Sequence, residues 1–165
     1  MATRAADFAN AVPALAPERS VAWPKRTRAR LANGLEIVLA EARSIPKFHG
    51  ELFLRAGEAL VSDRAVGLAE MTSAVLRTGT TKRTSRQIEE DLRRLGADLG
   101  ASAGQDTSAI SFAGLSEFAE PLLQLVSELA RQASFPVAEF ERERRQKVGG
   151  FVHAARFGGE EFSRA

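Results

Sequence analysis

The chain of 165 residues is long enough for one domain with a core of its own, and its apolar (44%) and charged (27%) fractions are those of an ordinary globular protein. It has no cysteine, which excludes disulfides, a thiolate nucleophile and any sulfur-ligated metal. The formal charge is only +2, from 23 basic and 21 acidic residues, and no run of about 18 apolar residues is present to span a membrane.

Residues 1–28 read as a linker-like tail, rich in Ala and Pro near the start and without the continuous apolar stretch of a signal peptide. Compartment is left open between a bacterial-type periplasm and the cytoplasm. The densest basic run, from Lys25 to Arg30, lacks interleaved aromatics that would stack bases. It reads as a solvated edge or linker, so nucleic acid is not an expected partner.

The folded module is expected over residues 29–165. Asn33-Gly34 is a hairpin signal, because both residues tolerate positive φ, and it separates two short strands within residues 30–40. Leu35, Ile37 and Leu39 alternate with Glu36, Val38 and Ala40, which suits a sheet with at least one buried face. After Pro46 a further strand places Leu52 and Leu54 on one side and Glu51, Phe53 and Arg55 on the other.

A helix follows over residues 67–77 and stops at Gly79. Leu68, Met71 and Val75 recur at helical spacing and predict that it is largely buried. Thr84-Ser85-Arg86-Gln87 has the form of a capping box, opening a second helix with Ile88, Leu92 and Leu95 as its apolar stripe and Gly96 as its stop. Residues 97–115 are small and β-compatible and predict two strands turning near Gly104-Gln105-Asp106. From Ser116 a third helix carries Phe118, Leu122, Leu125, Val126 and Leu129, with Pro121 in its first turn, where a missing amide hydrogen is tolerated. Phe135-Pro136 breaks the chain before a fourth helix, whose inner face is read as Phe140, Lys147, Val148, Phe151 and Val152. The order ββ, β, αα, ββ, αα predicts an α+β fold in which helices cover one face of a mostly antiparallel sheet.

Several motifs are weaker than they look. Gly100-Ala101-Ser102-Ala103-Gly104 matches a nucleophile elbow literally, but the elbow needs strand, turn and helix, and strand-like sequence flanks it on both sides here. Gly79-Thr80-Thr81-Lys82 lacks the glycine spacing of a phosphate loop and reads as a helix terminator. His49 and His153 are the only histidines, and Glu160-Glu161 are adjacent rather than paired on one face.

Five segments, in this order, resemble the N-terminal module of the pitrilysin/insulinase-type zinc peptidases, a family that includes mitochondrial processing peptidase. They are Leu31–Val38, Leu54-Arg55-Ala56-Gly57-Glu58, Gly67-Leu68-Ala69 with Gly79-Thr80, Leu95-Gly96-Ala97, and Phe135-Pro136 with Phe140-Glu141-Arg142-Glu143. Active members carry an inverted zinc motif, H-x-x-E-H, directly after the Gly-Leu-Ala triplet. Residues i, i+3 and i+4 share one helix face, so two imidazoles can hold one zinc ion beside the glutamate that activates its water. The corresponding positions here are Glu70, Ser73 and Ala74. The third ligand, a glutamate on a later helix, is expected near Gly149, Gly150 or Phe151, yet no Asp or Glu lies between Glu143 and Glu160.

The resemblance implies a processing-peptidase/LuxS-like metallohydrolase module, incomplete at its C-terminal end and inactive by itself. It further implies no cofactor in this chain, with zinc only in an active partner. The expected role is a non-catalytic module that binds unfolded peptide, or shapes a substrate chamber, in support of a catalytic homologous chain. The alternative is a scaffold subunit with no part in peptide turnover. A module cut short would leave an open sheet edge through which the chain could form homo-oligomers.

Overall fold

The computed structural model describes residue 20 and residues 22–161, with side chains described as far as residue 150. The chain divides into two units, one ending at Ser44 and the other beginning at Ile45.

The first unit holds an antiparallel hairpin of β1 (Arg26–Arg30) and β2 (Glu36–Ala40), in register from Arg26 opposite Ala40 to Arg30 opposite Glu36. The turn is longer than a two-residue connection. Gly34 takes the positive φ (+87°) by itself, while the Asn33 side chain accepts a hydrogen bond from the Leu35 amide. The basic run is therefore the first strand, which starts within the span read as tail. Charge does not oppose this, because alternate arginines point away from a two-stranded ribbon and keep their heads in water. The expectation of a buried face fails: all ten strand residues are exposed. Most of residues 1–28 lies outside the described region.

The second unit is built on a three-stranded antiparallel sheet, ordered β3 (Lys47–Leu54), β5 (Ser108–Leu115), β4 (Asp98–Ala103). Leu52 faces Ile110, Gly50 faces Phe112 and Leu99 faces Phe112, so these residues share one side of the pleat. That side is covered by α2 (Ser85–Leu95) and α3 (Ala119–Gln132), whose Ile88, Leu92, Leu95, Leu122, Leu125, Val126 and Leu129 form the core with Leu99 and Ile110. Gly50 is needed because a side chain there would collide with the Phe112 ring, which also tilts against Phe48 at a centroid distance of 6.1 Å. The α+β architecture expected from the sequence is the one observed.

Two helices differ in detail. In α1 (Leu68–Val75) only Ala69 and Val75 are buried, and Leu68 is 53% exposed. Helical side chains lean toward the N-terminus, so the first residue of a helix projects past its end and finds no turn to cover it. The last helix, α4 (Val137–Glu161), packs against α1. The part-buried Phe140 and Lys147 sit seven residues apart, whereas Val148, expected on the inner face, is exposed. Phe151 and Val152 belong to the part whose side chains lie outside the described residues.

Candidate functional site on helix α1

Helix α1 is positioned by a carboxylate from another segment. Gly67 starts it with φ +85°, a left-handed conformation that glycine adopts without strain. The Glu58 carboxylate accepts hydrogen bonds from the Gly67 amide (3.2 Å) and the Glu70 amide (2.8 Å), satisfying donors that a helix start leaves free and adding negative charge where the helix dipole favours it. Glu58 is held in turn by backbone pairing to the β4–β5 turn: its amide donates to Gly104 O (3.0 Å), and the Ala59 amide donates to Gln105 O (2.8 Å). Gly57 makes this approach possible, since a β-carbon there would strike the backbone of Gln105 and Asp106. Sequence reasoning found Gly57 and Glu58 only as part of a motif; their capping role spans 12 residues of chain and has no local signal.

The three motif positions all lie on α1, yet they present different surfaces. Glu70 is exposed, and its Oε1 lies 2.6 Å from the Lys147 ammonium of α4. Ser73 is half-buried and lines an apolar cavity between α1 and the sheet. Ala74 offers a methyl group. For a zinc ion this is one carboxylate, already bonded to a cation, with no second donor of the right kind on the face. The residues do not fit the metal. Among the described residues no three His, Cys, Asp or Glu side chains gather into a metal-binding group. His49 lies on β3, on the side of the sheet away from the core, 4.0 Å from Glu51, and the His153 side chain is outside the described residues. Ser102 sits in β4, which turns into β5 rather than into a helix. The side chains of Glu160 and Glu161 are outside the described residues.

The strongest electrostatic coupling lies elsewhere, where the loop between α1 and α2 meets α3. Glu128 is buried; its Oε1 accepts from Thr80 Oγ1 (2.6 Å) and its Oε2 pairs with the Arg83 guanidinium. Thr80 Oγ1 also accepts from the amides of Lys82 (3.1 Å) and Arg83 (2.8 Å), and Arg83 Nε donates to Asp91 (2.9 Å). Burial by itself would raise the Glu128 pKa, but the Thr80 and Arg83 hydrogen bonds outweigh it and hold the carboxyl below its usual range. The hydrogen bond to Glu128 raises Arg83 correspondingly. This cluster fastens the loop to α3, and Arg83, Asp91 and Glu128 also line an open groove between α2 and α3.

Residues 37–153 match the family described as insulinase (peptidase family M16). The chain belongs to this family. Among proteins similar to it, the probable mitochondrial-processing peptidase subunit beta of Arabidopsis thaliana is 24% identical over 83% of this chain and 26% of its own length. The cytochrome b-c1 complex subunit 1 of Caenorhabditis elegans is 22% identical over 73% of this chain and 26% of its own. The crystal structure of a peptidase M16 inactive domain from Pseudomonas fluorescens superposes with a TM-score of 0.75 at 29% identity, covering 81% of this chain and 32% of that one. The chain thus spans about a quarter of the length of the curated insulinase-family relatives it matches. Family and fold are those the sequence motifs imply, and the likeness to an inactive domain fits a non-catalytic module.

Proposed function

We propose that this chain is a non-catalytic insulinase-family module that binds extended peptide and shapes a substrate chamber for a zinc-bearing partner chain. The observation that carries the proposal is the Glu70–Lys147 ion pair, which stands where a hydrolytic member would place its first metal ligand. With Ser73 and Ala74 at the other two positions, the chain needs no cofactor and leaves cleavage to its partner. Support for peptide binding comes from the sheet: among the described residues β3 and β4 each pair on one side only, so an extended strand can add to either edge.

The test is to mix the chain with a homologous chain bearing H-x-x-E-H and follow cleavage of an unfolded peptide. The mixture is expected to cleave at least tenfold faster than the partner by itself, whereas unchanged cleavage, with no peptide retained by the chain, would overturn the reading. The similarity to a b-c1 complex subunit favours a second reading, a scaffold without peptide turnover, and that is the outcome such a null result would support. The same open edges lead to self-association, seen as a light-scattering mass that rises with concentration.

A further inference from the structure

Beside the motif positions, α1, the sheet and the chain leaving α3 line a half-open cavity of about 480 Å³, within the range of small-molecule pockets. Its floor is apolar, set by Ala101, Ile110 and Leu129, and its mouth exposes Leu54, Leu60 and Phe135. Phe135 is held there with φ +46°, a strained value for a non-glycine residue, at the junction ahead of α4. The charged residues lining the cavity are Arg55 and Arg131; no Asp or Glu lines it. Neither arginine enters an ion pair or a side-chain hydrogen bond among the described residues, in a chain where many other arginines do.

We infer that this cavity binds a medium-chain carboxylate: an apolar body in the pocket and one anionic head gripped by Arg55 and Arg131. Charge selects the head, because two guanidinium groups beside a low-dielectric wall favour a carboxylate and can hold it with paired hydrogen bonds. The polar groups around the cavity select the body. Thr72 Oγ1 already donates to Leu68 O and Ser108 Oγ to Ala56 O, while the neighbouring Ala56, Glu58 and Ala59 amides are taken by backbone partners. Along α1 and the segment from Ala56 to Ala59 a peptide main chain would find these partners taken, whereas a hydrocarbon chain gains from every CH₂ removed from water. Ser73, which replaces the glutamate of the zinc motif, leaves a neutral wall where a carboxylate would repel the ligand head. The inference does not depend on the chamber reading, since it concerns a small molecule and this chain alone.

The probe is decanoate, titrated calorimetrically into the whole chain at moderate salt. Decanoate is expected to bind with one site, with decanol and acetate at least tenfold weaker, and Arg55→Gln with Arg131→Gln at least tenfold weaker at an unchanged circular dichroism spectrum. Should that double variant unfold, Ser73→Leu, which fills the cavity without touching charge, is expected to abolish binding in the same way. Decanol binding equal to decanoate, or binding that survives both the double variant and Ser73→Leu, would overturn the assignment. So would an apolar tripeptide binding more tightly as the free acid than decanoate does, because the ligand would then be a peptide end.

Discussion

A carboxylate lying 2.6 Å from a lysine ammonium has a partner and little to offer a second cation, and Glu70 is in this position. The pair is part-exposed, so its contribution to stability is small, on the order of 0–1 kcal/mol. Its effect on metal binding is larger, because two like charges at about 4 Å repel by roughly 1–4 kcal/mol at surface dielectric values. Rebuilding the motif with Glu70→His, Ser73→Glu and Ala74→His should give a chain whose zinc affinity, read by calorimetry, rises about tenfold when Lys147→Ala is added. Equal affinities would mean that the ammonium turns aside. At Glu128 the charge matters in the other direction. Its folded pKa is depressed, so its contribution is complete above the unfolded value, about 4.3, and is lost as pH falls through the folded one. Glu128→Gln should lower stability at pH 7 by about 1–3 kcal/mol and shrink the gap between melting temperatures at pH 7 and pH 3, in thermal denaturation.

At the scale of elements, α1 depends on a residue that is neither in it nor next to it. Gly57 has an ordinary extended conformation (φ −90°, ψ 179°), so its glycine is required for space and not for backbone freedom. Gly57→Ala should therefore cost about 1–3 kcal/mol by overpacking. It should also loosen the cap, with the Gly67 and Glu70 amides exchanging faster while the α2 amides do not. Unchanged exchange at these two amides would show that Glu58 is not what holds the helix. The same contrast explains what the sequence made legible. The Thr84–Gln87 capping box is reciprocal within four residues, Thr84 accepting from the Gln87 amide and the Gln87 side chain accepting from the Thr84 amide at 2.9 Å, so composition and spacing suffice to find it. Periodicity likewise locates α2 and α3, as small, β-compatible residues do the β4–β5 pair. Periodicity fails where neighbours decide burial: at Leu68, which overhangs a helix start, at Val148, which lines an open groove beside α1, and at β2, whose apolar residues are exposed in its hairpin. The basic strand β1 was hidden because charge suggests solvent, and solvent is compatible with an exposed ribbon.

For the molecule as a whole, the frame is the family's and the motif positions on it are not those of a metal site. Gly67, Ala69, Gly57 and Glu58 build and place α1 within an insulinase-family sheet-and-helix layer, and among the described residues the motif positions it carries offer no metal-binding group. Lys147 adds a charge to that contrast. A zinc site on this helix would require two imidazoles, a base and a distant carboxylate, and a positive charge would have to leave the middle of the site. A histidine placed at position 70 would meet an ammonium where it needed zinc. Rebuilding the motif residues is therefore not enough for a metal on this helix; the charge that faces them has to go as well.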